Sequence, residues 1–482
     1  MPEAALETIS EPALFVDLDG TLLRSDLLWE SLSSAVRFNP LAAIRGIGNL
    51  AEGRAALKHS LARSSAIDVT VLPYRETLLE WIRGEAQRGR DVYLATASDE
   101  LLADRVADHL KFFAGVIASD GKENRKGSAK LEAIREVVGD KPFDYCGNGR
   151  DDLPIFAQAR RAIVVAAPAD VLRAAQSSGN VDRVFADQDS ASAWWRALRP
   201  HQWLKNLLVF VPLLTAFKFN EMAALQAALL AFIAFSLAAS AGYLVNDILD
   251  LQVDRRHPRK RFRPLAAGDL SIGAGLMAAT ILGSAGLLMA GTVSRMLVLW
   301  LLIYLACTFA YSLRLKRTAL FDIAMLAVLY ICRVLAGGAA IGVPVTFWLL
   351  AFAAFLFFSL ALVKRCGELI ALRDRNEETA GGRAYRVTDL VVLQPLGIAT
   401  SVAAVLVFAL FTSSPEVAIR YQTPQMLWLT MAALMLWLAR IWLVSNRGGM
   451  HDDPLIFAIS NRMSIVLLAL MLTGFALAIV AV

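Results

Sequence analysis

Residues 246–268 read NDILDLQVDRRHPRKRFRPLAAG and follow an apolar run, 223–245, that is long enough to cross a bilayer. Asp247, Asp250 and Asp254 stand at i, i+3 and i+7, with Asn246 beside the first. On a helix these positions share one face. Carboxylates gathered at a membrane boundary repel one another and lose solvation unless a cation sits among them. Mg²⁺ meets that need, because it is a hard cation that takes oxygen ligands and often shares them with substrate phosphates. Arg255, Arg256, His257, Arg259, Lys260, Arg261 and Arg263 follow at once, and Pro258 and Pro264 end the helix and stiffen the loop. Acids for a metal, then guanidiniums for phosphate oxygens, read as a diphosphate site. The plainer alternative is a basic juxtamembrane loop gripping anionic lipid, with the acids as its counter-charges.

The chain has 482 residues, of which 57% are hydrophobic, and a mean hydropathy of +0.52. That is far above a soluble average, and the length predicts two or more domains. Almost all of the apolar excess lies after Trp203. The net charge of +5 reflects basic cytoplasmic loops in such a protein and gives no argument for nucleic acid as a partner. Cys146, Cys307, Cys332 and Cys366 lack metal-ligand spacing and suggest neither zinc nor a disulfide framework. The opening MPEAALETIS has no basic or apolar signal region, so no cleaved signal peptide is expected.

Before Trp203 the pattern is soluble. PALFVDLD at 12–19 reads as a buried strand ending in Asp17 and Asp19, with a turn at Gly20 and Thr21. A second strand, 92–95, ends at Thr96, with Ser98 just beyond. A third, 143–146, runs into Gly147, Asn148, Gly149, Arg150, Asp151 and Asp152, and a fourth is 162–166. Helical patterns lie between, as at 126–138, so a parallel α/β sheet is predicted. Ligands bind such sheets at the carboxyl ends of the strands, where Asp17, Asp19, Thr96 and Asp152 all fall. The mostly helical residues between the first two strands, about 27–90, read as a cap beside that site.

This constellation resembles the haloacid-dehalogenase-like phosphatases, in their phosphoserine-phosphatase-like branch. DLDGT at 17–21 resembles the first motif, Thr96 the second, Lys130 in KGSAK the third and GNGRDD at 147–152 the fourth. The resemblance implies a Rossmannoid domain over 1–185. It makes Asp17 the nucleophile, Asp19 the acid and base, and Thr96, Ser98 and Lys130 the phosphate ligands. It places Mg²⁺ among Asp17, Asp19, Asn148 and Asp152. The family usually has aspartate where this chain has Asn148, and a neutral amide is a weaker Mg²⁺ ligand. A domain without activity, kept for regulation or packing, is the competing expectation.

Residues 186–205 read as an interfacial linker, in which Trp194, Trp195 and Trp203 with Arg196, Arg199 and Lys205 suit the headgroup layer. Beyond it the sequence predicts an all-α membrane domain, 206–482, with about nine spans. They lie near 206–218, 223–245, 272–291, 296–312, 320–341, 346–363, 388–411, 426–444 and 463–482. The first is short for a crossing. Alternate loops are strongly basic: Arg255–Arg263, then Arg314, Lys316 and Arg317, then Lys364 through Arg386, then Arg447. Those loops should be cytoplasmic, and with them the N-terminal domain. Tyr311, Arg314, Lys316 and Arg317 precede Asp322, Arg333 sits inside an apolar helix, and Asp452, Asp453 and Arg462 precede the last span. Each cluster alone fits ordinary inward-loop chemistry; together they surround one inward-facing site.

From residue 199 onward the chain resembles the UbiA-type membrane polyprenyl transferases, whose NDxxDxxxD signature is met in full by Asn246, Asp247, Asp250 and Asp254. RPHQWLKNLLVFVPLL, DRRHPRKRFRPLAAG, RVLAGGAA at 333–340 and KRCGEL at 364–369, with Tyr311 and Lys316, are similar to the decaprenyl-phosphate phosphoribosyltransferase branch. That branch makes the lipid-linked ribose from which arabinose donors derive. The resemblance implies a bacterial cytoplasmic-membrane enzyme. It would move 5-phosphoribose from phosphoribosyl diphosphate to a polyprenyl phosphate, with Asp247, Asp250 and Asp254 holding Mg²⁺ and diphosphate. Asn246, Arg255, Lys260, Arg261, Arg263, Tyr311, Lys316, Arg333 and Lys364 are the candidates for phosphate contacts. The phosphatase-like half would then remove the 5-phosphate. The alternative is an aromatic prenyltransferase of quinone, haem or related lipid synthesis, with an unrelated or regulatory phosphatase-like domain. Such enzymes carry a second acidic loop, where this chain has a basic one with Asp322 as its only acid. A non-catalytic transporter or scaffold is a third class, and homo-oligomers are compatible with all three.

Overall fold

The computed structural model describes residues 11–187, 190–377, 384–450 and 454–479. Asp452 and Asp453 therefore lie outside the described residues. The chain forms two compact units. One holds the residues up to Ala197 together with Leu244–Ala278; the other holds Leu198–Tyr243 with the residues from Ala279 onward.

The first unit is built on six parallel strands: β1 (Leu14–Val16), β2 (Val92–Asp99), β3 (Gly115–Ser119), β4 (Asp144–Gly147), β5 (Arg161–Val165) and β6 (Val181–Phe185). Their order is β3-β2-β1-β4-β5-β6. Side chains alternate across the sheet, so Leu14 and Val16 enter one apolar core while Phe15 enters the other. Both faces are covered, and β1 reads as an unbroken apolar run for that reason. β3 and β6 are not evident in the sequence: β3 (GVIAS) is short and β6 (VDRVF) is an edge strand with polar, exposed positions. Between β1 and β2 lie α1 (Leu27–Phe38), α2 (Pro40–Gly48) and α3 (Arg54–Ser64). Asp26 and Asn39 cap the first two, each accepting a backbone N–H with its side chain.

The second unit is helical. Among the described residues eight helices of the chain are long and apolar enough to cross a membrane: Met222–Leu249, Ile272–Val293, Arg295–Leu313, Phe321–Ile341, Phe347–Arg373, Val387–Thr412, Pro424–Asn446 and Arg462–Ile479. Small residues let them approach closely. A methyl group on Gly397 would lie 2.1 Å from the Trp442 ring, while the indole N–H of Trp442 donates to Ser401 Oγ at 2.9 Å.

The remaining expected span, 206–218, is not an α-helix. Pro200–Phe210 winds as a 3₁₀ helix, followed by a short α-helix, Val211–Thr215. Asn206 bonds Ser236, Phe210 meets Phe232, and Leu213 packs with Ala228, so this segment runs antiparallel along Met222–Leu249. The 3₁₀ rise is longer per residue, so 3₁₀ and α parts together extend about 30 Å, which matches a hydrocarbon core. The segment is nonetheless not among the eight helices long and apolar enough to cross a membrane, and the expected ninth span is replaced by this 3₁₀ segment.

Candidate functional site

Two polar centres lie in the first unit. At the carboxyl ends of β1, β2 and β4 stand the residues of the phosphatase-like motifs. Lys130 Nζ donates to Asp17 Oδ1 at 2.8 Å, to Tyr145 Oη at 3.0 Å and to Asp152 Oδ1 at 3.3 Å. Thr21 Oγ1 donates to Asp17 Oδ2 at 3.1 Å. Asp152 also accepts the Tyr145 hydroxyl at 2.6 Å and the backbone N–H groups of Asn148 and Gly149 at 3.0 and 2.9 Å. It therefore holds the fourth-motif loop in shape. Ser98 Oγ donates to Asp19, and Ser98 N–H closes onto Thr96 Oγ1 at 3.0 Å. Asn148 lies against the 17–21 turn: a methyl on Gly20, whose φ is +73°, would be 2.2 Å from its Nδ2. Asp17, Asp19, Thr96, Ser98, Lys130, Asn148 and Asp152 are thus brought together.

Burial pushes the Asp17 carboxyl up to about 6, against the opposing pull of Lys130. Burial, then the nearby Asp26, pushes Asp19 up to about 7. Burial works against ionised Asp152 too, but Lys130, Tyr145 and two backbone N–H groups hold it below the ordinary carboxylate range. The order suits an ionised nucleophile beside a protonated acid near neutral pH. Lys58 of α3, which sequence reasoning passed over, reaches in with Nζ on Ala97 O and on Asn124 Oδ1 at 3.0 Å. Burial lowers its pKa.

The second centre is the aspartate motif. The helix breaks at Asp250, between Leu249 and Leu251. One face therefore becomes two. Arg263 Nη1 lies 3.1 Å from Asp247 Oδ1 and 2.6 Å from Asp254 Oδ2. Asp250 turns instead to Arg37 of α1, whose Nη1 also takes Leu249 O. Burial pushes the Asp254 carboxyl up, with Arg263 opposing. Arg255, expected among the phosphate ligands, is used for packing: it donates to Ala266 O at 2.9 Å and to both oxygens of Glu30 at 3.0 and 2.6 Å. Ser33 Oγ donates to Ile248 O at 2.5 Å and Arg256 pairs with Asp68. The cap thus grips the motif through α1. Lys260 and Arg261 lie on a 3₁₀ turn, with Arg261 exposed and stacked at 4.8 Å on Phe262.

The donors of both centres are almost all oxygens, and in each a single cationic nitrogen already bridges two carboxylates. That arrangement fits a hard cation. Among the described residues no three His, Cys, Asp or Glu side chains converge on their own as a metal site, so an ion at either centre would complete its shell from the Asn246 or Asn148 amide, water or substrate phosphate.

In the second unit, Arg333 is buried within the apolar helix Phe321–Ile341, and among the described residues its bonds go to neutral oxygens. Its Nε donates to Asn206 Oδ1 at 2.8 Å, its Nη2 to Tyr304 Oη at 3.0 Å and its Nη1 to Leu329 O. Its guanidinium also lies 4.7 Å from the Tyr304 ring centre. Asp322, fully buried, is locked to Arg365 at 2.5 Å and to the Tyr385 hydroxyl. Tyr311 shares the electrostatic surroundings of Lys364, Arg365, Asp322 and Glu368. Lys316 stands on the 3₁₀ turn Leu315–Arg317.

Residues 207–462, more than half of the chain, match the UbiA prenyltransferase family. The chain belongs to that family. Three relatives put the UbiA match in context. Protein y4nM of Sinorhizobium fredii, which has no described function, is 36% identical over 96% of this chain and 90% of its own length. The nodulation protein NoeC of Azorhizobium caulinodans is 35% identical over 56% of this chain and 88% of its own. Decaprenyl-phosphate phosphoribosyltransferase of Mycobacterium tuberculosis is 39% identical over 36% of this chain and 59% of its own.

For a UbiA chain, the Asp322–Arg365 pair has a measurable consequence. Arg365→Leu would leave Asp322 buried without its cation, although still bonded by the Tyr385 hydroxyl, so a loss of about 3–5 kcal/mol is expected. A melting curve of the purified protein checks this, and Asp322→Asn added to Arg365→Leu should recover part of the loss.

Proposed function

We propose that the membrane half transfers 5-phosphoribose from phosphoribosyl diphosphate to a polyprenyl phosphate, and that the phosphatase-like half then removes the 5-phosphate. The observation that carries this reading is the grip of the cap on the aspartate motif: Ser33, Arg37 and Glu30 on Ile248, Asp250 and Arg255. The two polar centres belong to one compact unit, which supports their use on one lipid in succession. The identity to the decaprenyl-phosphate phosphoribosyltransferases supports the first step. So does the use of Asp322 in a buried ion pair, which commits that acid to Arg365 rather than to a prenyl diphosphate.

In this reading Asp247, Asp250 and Asp254, with Asn246, hold the metal and diphosphate, and Arg263, Lys260 and Arg261 take phosphate oxygens. Tyr311, Lys316, Arg333 and Lys364 are the second unit's candidates. Bound there, Mg²⁺ supplies charge neutralisation for the departing diphosphate. The acceptor is already an anion, so an oxygen of the polyprenyl phosphate forms the bond to ribose C1 without a general base. At the other centre Asp17 attacks the 5-phosphorus, and Asp19 gives its proton to the leaving ribose oxygen. Asp19 then takes a proton from the water that cleaves the aspartyl phosphate. Thr96, Ser98 and Lys130 orient the phosphoryl group, and Asn148 and Asp152 shape the metal side.

Purified protein, phosphoribosyl diphosphate, Mg²⁺ and a polyprenyl phosphate should release pyrophosphate together. Release that ignores the lipid, or occurs only with a prenyl diphosphate and an aromatic acceptor, contradicts the reading.

The reading also places the enzyme in the bacterial cytoplasmic membrane with the N-terminal unit in the cytoplasm. In intact cells, cysteine at Arg261 should resist impermeant thiol reagents and cysteine at exposed Ile419 should react. The reverse pattern would reject this orientation.

A further inference from the structure

α2 is built inside out for a helix on a soluble domain. Its inner face carries small residues: Ala43 and Gly46 are buried, and a methyl on Gly46 would come within 2.9 Å of Leu61 in α3. Its outer side carries the large ones. Leu41 and Ile44 are each 67% exposed, and Phe38, Ile47 and Leu50 continue the stripe at about half exposed. Nothing among the described residues covers it. A contiguous apolar stripe of this kind marks a binding surface.

Its position says what binds. Arg37, one residue before the stripe begins, donates to the carbonyl of Leu249, the last residue of the spanning helix Met222–Leu249. Ser33 bonds Ile248 O. Trp29 lies against Gly273, at the start of the spanning helix Ile272–Val293: a methyl there would meet its indole at 3.4 Å. α1 therefore lies across the ends of two membrane helices, and α2 follows directly at Pro40. Charge agrees with position. Within residues 38–64, Arg45, Arg54 and Arg63 are exposed against the single acid Glu52, while Lys58 turns inward, and that balance suits anionic headgroups.

We propose that α2 is an interfacial membrane helix, its Leu41–Ile44–Ile47 side inserted among the lipid acyl chains of the bilayer surface. The inserted cap holds the phosphatase-like centre at headgroup level, so the substrate it suits is a phosphate monoester carried by a lipid. That last clause rests on the function proposed above; the insertion itself does not.

The test uses the full chain in nanodiscs of phosphatidylglycerol and phosphatidylcholine. A bimane label is placed on cysteine at Ile44, with Ile47 as a second position and exposed Val137, on the helix Ser128–Val138, as the aqueous reference. Brominated acyl chains should quench the label at Ile44 and Ile47 at least several-fold more than at Val137, and iodide should show the opposite order. Equal iodide quenching at all three positions would overturn the proposal. So would shielding of Ile44 from both quenchers, which would mean that a protein surface covers the stripe. The readout needs no turnover, so its failure leaves the transferase and phosphatase assignments standing, and their failure leaves it standing.

Discussion

Asp250→Asn is expected to lower phosphoribosyl transfer by roughly 10²–10³-fold while leaving the protein folded in membranes. The change keeps the shape of the side chain and removes one charge. In the proposed mechanism a metal held by these acids would supply several kcal/mol to diphosphate departure, and about 3–4 kcal/mol corresponds to that loss in rate. The same change also breaks the pair with Arg37 of the cap. Arg37→Met breaks that pair from the other side and keeps the acid, so it separates the two causes. It should retain most of the transfer activity. Equal loss in both variants would mean that cap docking, not metal binding, is what Asp250 provides. Near-normal transfer in Asp250→Asn at ordinary Mg²⁺ would remove the aspartate motif from the mechanism.

Asp17→Asn should leave transfer intact and make the 5-phosphorylated lipid accumulate. An amide is a poor nucleophile, so dephosphorylation should fall on the order of 10³-fold or more. The fold should tolerate the change. Asp17 is buried with its carboxyl pushed up to about 6, so neutralising it relieves desolvation, and Lys130 keeps Asp152 and Tyr145 as partners. The proposed transfer centre uses Asp247, Asp250 and Asp254, whereas Asp17 is held by Lys130 and Thr21. Tethering on one chain raises the local concentration of the product lipid at the phosphatase centre. Lipid chromatography of the products from both variants reads out this accumulation directly. Parent and variant giving the same ratio of phosphorylated to dephosphorylated lipid would leave the phosphatase-like half without this substrate.

The parts of both centres that lie close together in sequence were legible there. DLDGT places Asp17 and Asp19, the proposed nucleophile and acid, two residues apart because a strand end and a turn fix both. NDILDLQVD announces its acids through helical spacing, although the break at Asp250 redirects one of them, and no local signal foretold it. What was hidden depends on distant partners. Arg37 and Glu30 read as ordinary helix charges until the fold brings them to Asp250 and Arg255, 213 and 225 residues away. Arg255 looked like a phosphate ligand because it sits in a basic run, yet its carboxylate partner comes from the cap. Arg333 looked expensive in an apolar helix, and the chain satisfies it with Asn206 from the 3₁₀ segment. That segment was itself hard to read. Pattern reasoning assumes α-helical rise and counts 206–218 as a short span, whereas Pro200–Phe210 winds as a 3₁₀ helix.

A single chain that both makes and dephosphorylates a phosphoribosyl lipid should pass one phosphate through the lipid in sequence. The purified full-length protein in nanodiscs is given polyprenyl phosphate, Mg²⁺ and phosphoribosyl diphosphate labelled with ³²P only in the 5-phosphate. Label is expected to enter the lipid fraction first and then to leave it as inorganic phosphate, while Asp17→Asn retains it in the lipid. Label that never enters the lipid, although the protein is folded and both substrates are present, would contradict that expectation.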